Sequence, residues 1–152
     1  MDQFRNMIQS ELNGTITTIP PTSSKKKIDS FIKVDGYPWV KNLEDYAGVF
    51  GVQVKNFYAY PSEGEILFRV SPVNHGYYPW VQNYKVSSGY YDFAGNGVPI
   101  DRLQMKLRGL DGYSIRYRVH LKGGSWLPWV INDSDYAGIR GRIIDAVECE
   151  II

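Results

Sequence analysis

The chain has 152 residues, enough for one domain and a short appendage. Its 17 lysines and arginines nearly balance its 16 aspartates and glutamates, so charge alone predicts no nucleic-acid partner and no anionic membrane partner. One cysteine, Cys149, excludes an internal disulfide framework, and with only two histidines it also excludes a closed Cys/His zinc site. We therefore expect no metal and no cofactor. The sequence also contains no apolar run long enough to span a bilayer and no signal-peptide pattern.

The first 27 residues differ from the rest of the chain. Asp2 can cap a helix, and apolar residues follow it at helical spacing, which predicts an amphipathic helix over residues 1–14. Residues 15–27, rich in Pro, Ser, Thr and Lys, have the composition of a solvated linker. Because so short a helix is unstable alone, its apolar stripe needs a partner surface. The candidates are the β domain, a separate catalytic domain and a second copy of the chain. The stripe consists of Phe4, Met7, Ile8 and Leu12.

From residue 28 onward the sequence favours strands. Tyrosine contributes 12 residues to the chain, and valine and isoleucine are far commoner than alanine and leucine. β-branched and aromatic residues suit a pleated sheet, and 15 glycines and 8 prolines divide the chain into short pieces. The composition predicts an all-β domain over residues 28–152.

Three segments of this domain share the same landmarks in the same order. Each has a Pro-Trp-Val motif, an acid–aromatic–Ala–Gly step, a further glycine, and an aliphatic residue that opens a strand of alternating hydrophobicity. The repeated tryptophans are Trp39, Trp80 and Trp129, and the repeated acids are Asp45, Asp92 and Asp135. We divide the domain into copy one, copy two and copy three, at about 28–65, 66–112 and 113–152.

Each copy holds three or four short strands, too few to bury an apolar face alone. Three copies can close around one pseudo-symmetry axis, which predicts a β-trefoil-like fold, with a β-prism as the alternative. Copy one is the most divergent, because Ile28–Val34 carries polar residues where the other copies have an alternating strand. The Ala-Gly steps predict tight turns that need small residues and positive φ.

Motifs of hydrolytic and phosphate-binding sites are missing: the sequence has no His-Glu-x-x-His, no Gly-x-Ser-x-Gly and no Gly-rich phosphate loop. The repeated acids favour scaffold or repeated binding, because a catalytic carboxylate pair is normally a single asymmetric site. We interpret His75 and His120 as structural or solvent-facing, and Cys149 as a buried core thiol. The chain is therefore expected to have no catalytic residues. A small glycan-cleaving enzyme is the least favoured alternative.

The aromatic residues divide into two groups. The repeated tryptophans occupy one position in every copy, as the core of a symmetric fold requires, and we predict a core role for Trp39, Trp80 and Trp129. A second group varies between copies and lies in turn-like Gly/Pro surroundings, which suits stacking on sugars, with the repeated acids accepting hydrogen bonds from sugar hydroxyls. The candidate ligand-binding residues are Tyr37, Tyr77, Tyr78, Trp126, Asp45, Asp92 and Asp135.

Copy three resembles the clostridial hydrophobic repeat with its conserved tryptophan. The matching residues are Tyr117–His120, Gly124, Trp126, Trp129-Val130, Ala137-Gly138, Gly141 and Ile144–Val147. Repeats of that family usually occur in threes, in the C-terminal parts of secreted Gram-positive proteins and of phage or prophage cell-wall hydrolases. The resemblance spans about residues 28–152. Copy one lacks the Arg-Val strand, and copy two is six residues longer between Trp80 and Ala94.

The resemblance implies a non-catalytic cell-wall-binding module of a Gram-positive phage or prophage endolysin. Such a module concentrates an attached amidase or lysozyme on peptidoglycan or a wall polysaccharide. The implied partners are the wall glycan and the catalytic domain of the parent hydrolase. The apolar stripe of residues 1–14 adds a second copy of the chain or the full-length protein as a candidate partner. The implied location is the host cytoplasm until lysis and the bacterial cell wall afterwards. The alternative is a free-standing lectin-like or adhesion protein of similar fold.

Overall fold

The structure, a computed structural model, describes residues 26–42, 45–84 and 92–152. The predicted helix over residues 1–14 and all of the predicted linker except Lys26 and Lys27 lie outside the described residues. Within the described ranges the chain forms twelve β-strands and no helix, which confirms the predicted all-β class. These ranges accordingly contain no helix with the length and apolarity needed to cross a membrane.

The strands are short in the middle of each copy and long at its two ends. Copy one contains β1 (Ile28–Val34), β2 (Val40–Lys41), β3 (Tyr46–Gly48) and β4 (Val54–Pro61). Copy two contains β5 (Glu65–Pro72), β6 (Val81–Tyr84), β7 (Ala94–Gly95) and β8 (Ile100–Arg108). Copy three contains β9 (Ile115–Leu121), β10 (Val130–Ile131), β11 (Ala137–Gly138) and β12 (Ile144–Ile151).

The strands form three antiparallel sheets, and each sheet takes one strand from a different copy. Sheet one has the order β2-β1-β4-β7, sheet two β6-β5-β8-β11, and sheet three β10-β9-β12-β3. The exchange is cyclic, because sheet one takes a strand from copy two, sheet two from copy three, and sheet three from copy one. No copy can therefore complete its sheet from its own residues.

The core is formed by alternate residues of the long strands, as the sequence predicts. In β4, β8 and β12 the inward residues of the alternating pattern are buried, namely Val54, Phe57, Ala59, Ile100, Leu103, Met105, Ile144, Val147, Cys149 and Ile151. Leu107, near the end of β8, is half-buried and packs against the same core. Burial raises the pKa of the Cys149 thiol to about 12, which agrees with the predicted core position.

Strand β1 shows that the sequence divergence of copy one does not extend to its fold. Its seven residues alternate between buried and half-buried, with Ile28, Ile32 and Val34 in the core. It pairs with β4 from Ile28 to Val34, and the pairing shifts register only at its last residue. Just before it, Lys26 forms a 2.7 Å ion pair with Glu63 in the β4–β5 turn.

The Ala-Gly steps form short strands, so the prediction of tight turns is wrong. The predicted positive φ is confirmed, with values of 150°, 120° and 123° at Gly48, Gly95 and Gly138. A Cβ atom on Gly138 would lie 2.1 Å from the backbone oxygen of Asp101, in the neighbouring copy. At Gly48 and Gly95 the corresponding distance to a backbone oxygen is 2.5 Å. Glycine is required because the backbone of another copy lies directly against it.

Candidate functional site

The three repeated tryptophans lie on the outer faces of the sheets, so the prediction that they form the core is wrong. Trp39, Trp80 and Trp129 are half-buried, and none belongs to the buried core. Each directly precedes the second strand of its copy, whose first residue is the valine of the Pro-Trp-Val motif. These valines pack against the core. Because successive side chains of an extended chain point to opposite faces, the adjacent tryptophan turns outward.

The sheet-three face consists of Trp129 with four outward residues of β9 and β12. Two cross-strand pairs, Arg118 with Glu148 and Arg116 with Glu150, are hydrogen-bonded through both Nε and an Nη nitrogen of the arginine. The two guanidinium groups lie 4.5 and 4.1 Å from the centre of the Trp129 ring. The face is therefore aromatic and locally neutral, since each cation has a carboxylate partner.

An aromatic cluster joins the sheet-three face to copy one. The rings of Phe50 and His120 stack at 4.0 Å, and those of Tyr46 and Phe50 at 5.2 Å. The Trp126 ring packs edge-on against Tyr46 at 5.5 Å and lies 4.7 Å from the guanidinium of Arg118. His120 Nδ1 is 2.6 Å from a carboxylate oxygen of the buried Asp145. His120 is thus structural, as predicted, and His75 is exposed.

The sheet-two face consists of Trp80 with Leu67, Arg69, Gln104 and Lys106. The register pairs Arg69 with Gln104 and Leu67 with Lys106, the positions that Arg118–Glu148 and Arg116–Glu150 occupy in sheet three. Arg69 donates to Gln104 Oε1 through Nε at 2.9 Å and Nη2 at 2.6 Å. At these four positions the face thus carries two cations and no carboxylate.

Aromatic rings surround the cations of the sheet-two face. The Arg69 guanidinium lies 4.4 Å from the centre of the Tyr77 ring and 4.6 Å from that of Trp80. Lys106 Nζ lies 4.4 Å from the centre of the Trp80 ring. The exposed Asp133 carboxylate is 3.7 Å from Lys106. The Trp80 indole is therefore flanked by two positive charges.

The sheet-one face consists of Trp39, Phe31, Tyr58 and Tyr60. Phe31 stacks on Tyr58 at 4.5 Å and on Tyr60 at 6.1 Å. Trp39 packs edge-on against Tyr58 at 4.8 Å and is 5.6 Å from Phe93, which copy two supplies. At the four paired positions, which in sheets two and three are charged or polar except for Leu67, this face has three aromatic rings and Asp29.

The predicted ligand-binding aromatics fall in different environments. Tyr37 is 44% exposed, whereas Tyr78 packs against the core, and Tyr77 and Trp126 are half-buried at sheets two and three. The Tyr77 hydroxyl is buried and has no hydrogen-bond partner among the described residues. Burial raises its pKa to about 12.

The repeated acids lie at the edges of these faces. Asp45, Asp92 and Asp135 are exposed, and each precedes an aromatic residue of the adjoining sheet. The carboxylates of Asp45 and Asp135 accept hydrogen bonds from the next backbone N–H, at 2.6 and 2.8 Å. The backbone of Asp92 is hydrogen-bonded to the side chain of Asn83.

Two sets of site residues were not predicted. The first is the basic and polar set of outward residues on the long strands, which the alternation of Arg116, Arg118 and Glu148, Glu150 could have indicated. The second is an asparagine three residues after each tryptophan. Asn42 Oδ1 accepts from Ser30 N at 2.9 Å, and Asn132 Oδ1 accepts from Ile115 N at 3.0 Å. The full repeated motif is thus Trp-Val-x-Asn. In copies one and three its asparagine holds the tryptophan loop to the first strand, whereas Asn83 donates to the carbonyl oxygens of Ala59 and Asp92.

Among the described residues, no group of three or more His, Cys, Asp or Glu side chains is arranged to hold a metal ion. Comparison of the chain with models of protein families, with curated protein sequences and with solved structures gives no significant match.

Proposed function

We propose that this chain is a non-catalytic module that binds a cell-wall glycan of Gram-positive bacteria and directs an attached bacteriolytic hydrolase to it. The observation that carries the proposal is the outward tryptophan at the same place on each of the three sheets. Half-exposed aromatic rings beside polar and charged side chains suit stacking on the apolar faces of sugars, with hydrogen bonds to their hydroxyls. The resemblance to clostridial hydrophobic repeats adds the cell wall as the target.

The strand exchange supports the β-prism over the β-trefoil as the architecture of this module. Three four-stranded sheets, each completed by a strand from another copy, suit a prism with one sheet per side. A prism of this kind presents three separate outer faces. Each face would then be an independent site for the glycan.

Three weak sites suit a polymeric ligand. A shallow aromatic face contributes modest affinity, but a wall polymer that engages a second face does so at high effective concentration. The overall affinity for walls would accordingly exceed that for a short soluble fragment of the same glycan. A free-standing lectin-like protein is the second candidate, and it would use the same faces without a covalently attached hydrolase.

Sedimentation with purified Gram-positive walls tests the proposal. The triple variant Trp39→Ala, Trp80→Ala, Trp129→Ala should lose wall binding, and each single variant should weaken it at least about five-fold. Tyr113→Ala is the matched control, because Tyr113 is also an exposed aromatic, 41% accessible, and belongs to none of the three faces. Unchanged binding by a folded triple variant would contradict the proposal. Release of reducing ends or amino groups from the walls would instead indicate an enzyme.

A further inference from the structure

We infer that the sheet-two face is an anion-selective subsite, which takes a phosphodiester or carboxylate group carried by the wall glycan. This inference rests on the proposed function and specifies the chemistry of one of its three sites. The two anionic groups share the property that matters, a delocalised negative charge with oxygens that accept hydrogen bonds from a guanidinium.

The first support is the difference between two faces at matched strand positions. On sheet three, Glu148 and Glu150 neutralise the arginines opposite them. On sheet two, Gln104 and Lys106 occupy the corresponding places, opposite Arg69 and Leu67. The amide keeps the guanidinium in position without neutralising it, so the charge of Arg69 remains available to a ligand.

The second support is the geometry of Arg69. Its side chain is held between the rings of Tyr77 and Trp80, and its two bonds to Gln104 fix the plane of the guanidinium. A guanidinium has five N–H donors, and Gln104 takes two of them. No carboxylate pairs with Arg69 among the described residues. The pre-organised donors cost little conformational entropy on binding.

The third support is a second cation within reach of the same ligand. Arg69 and Lys106 lie on the Trp80 ring at 4.6 and 4.4 Å from its centre, so their charges are at most about 9 Å apart. A sugar stacked at the exposed part of Trp80 would place an attached anionic group near both. Asp133 competes for Lys106 only weakly, because an exposed ion pair at 3.7 Å contributes little in water.

The neighbouring cation Arg102 does not belong to the subsite. Its Nε donates to the buried Asp101 carboxylate at 3.0 Å, and an Nη donates to Ser71 Oγ at 2.6 Å. This arginine is itself largely buried, 8% exposed, and its charge is compensated. The available charges of the face are therefore those of Arg69 and Lys106.

The test measures sedimentation with purified Gram-positive walls over a range of salt concentrations. The decisive variant, Gln104→Glu with Lys106→Glu, copies the two acids of sheet three and so supplies Arg69 with a carboxylate. We expect it to lose wall affinity about ten-fold or more and to reduce the salt dependence. Its melting curve checks that it stays folded, because the variant loses the Gln104 bond to the Asp135 carbonyl and the Lys106 pair with Asp133. Arg69→Gln with Lys106→Gln should show the same loss of binding without adding negative charge.

The control is Lys122→Gln with Arg142→Gln, which removes two exposed cations from copy three. This control lowers the net charge by the same two units as the Arg69→Gln, Lys106→Gln variant. It should bind walls as well as the wild type does. Equal weakening by the control variant would mean that only overall charge matters and would overturn the inference.

Chemical treatment of the walls identifies the source of the anion. Hydrofluoric acid removes phosphodiester-linked polymers, and carbodiimide coupling to a neutral amine blocks carboxylates. If one treatment weakens the binding of the wild type but does not weaken the binding of the Gln104→Glu, Lys106→Glu variant further, the anion that this treatment removes or blocks is the ligand. Wild-type binding that withstands both treatments and both double variants would overturn the subsite but leave the proposed function intact. A wild type that binds no walls would overturn both.

Discussion

The backbone N–H of Gly51 in copy one donates a 2.7 Å hydrogen bond to a carboxylate oxygen of Asp145 in copy three. The same bond recurs between the other copies, from Gly141 N to Asp101 at 2.8 Å and from Gly97 N to Asn56 at 3.0 Å. The three bonds connect the copies in the same cyclic order as the exchanged strands. The glycine that follows each Ala-Gly step therefore hydrogen-bonds its own copy to the sheet of another copy.

Replacing Asp145 with alanine should destabilise the whole domain. Asp145 is fully buried, and its loss leaves the Gly51 N–H and His120 without their partner. We expect the free energy of unfolding to fall by about 3 kcal/mol, measured by urea denaturation. Asp111→Ala, at an exposed turn, is the control and should change it by less than about 0.5 kcal/mol. Equal effects of the two variants would contradict a role for the inter-copy bond.

Gly138→Ala should be more damaging than substitution of a glycine in open space. The new Cβ would overlap the backbone oxygen of Asp101 at 2.1 Å, so β11 would have to move away from β8. We expect a loss of at least about 3 kcal/mol in unfolding free energy or a failure to fold. Gly76→Ala is the control, because a Cβ there meets nothing within 4 Å. A Gly138→Ala protein as stable as the control would mean that β11 does not pack as closely as described.

Tyr77→Phe should stabilise the protein. The substitution removes a buried hydroxyl that has no partner among the described residues, and it keeps the ring against Arg69 and Arg102. We expect a gain of about 1 kcal/mol in the free energy of unfolding near neutral pH. Tyr113→Phe, at a ring 41% exposed, should have almost no effect.

The gain in unfolding free energy from Tyr77→Phe should also increase at alkaline pH. Burial raises the pKa of Tyr77 from 10.0 to about 12, so between those values the unfolded state loses a proton that the folded state keeps. The unfolded state of the wild type is thereby favoured, and the free energy of unfolding of the wild type falls as pH rises from 10 toward 12. The phenylalanine variant lacks this loss, so its advantage in chemical denaturation should widen over that range. An advantage that narrows instead would mean that the hydroxyl is partnered or accessible.

The sequence predicted the features that depend on short-range pattern. The core positions of β4, β8 and β12 followed from alternation along one strand, which needs no knowledge of the partner strand. The tryptophans were misassigned because Pro-Trp-Val does not say which of its two large residues faces inward, and a shift of one residue exchanges the two faces. The same ambiguity separates Tyr77 at the surface of sheet two from Tyr78 beside the core.

The strand exchange and the side-chain pairs on the sheet faces could not be predicted from the sequence, for a different reason. The partner of each Ala-Gly step lies in another copy, between 34 and 100 residues away along the chain. Nothing local to Gly138 predicts the approach of Asp101. Likewise, Arg69 and Gln104 become neighbours only through the pairing of β5 with β8.

The three faces should respond differently to salt, because among the described residues Trp80 is the only repeated tryptophan with cations within 5 Å of its ring centre that no carboxylate holds through two hydrogen bonds. Trp39 packs against the uncharged rings of Tyr58 and Phe93, so Trp39→Ala should weaken wall binding by a similar factor at low and high salt. Trp80→Ala removes the ring on which Arg69 and Lys106 lie, so both cations lose the position in which they face the glycan. The loss of binding should be largest at low salt, where the attraction of these cations for an anionic glycan is least screened. Wall sedimentation of both variants at about 0.05 and 0.5 M sodium chloride provides the comparison, with Tyr113→Ala as the reference for an aromatic outside the faces. The same salt dependence in both variants would mean that the charge difference between sheets one and two has no part in binding.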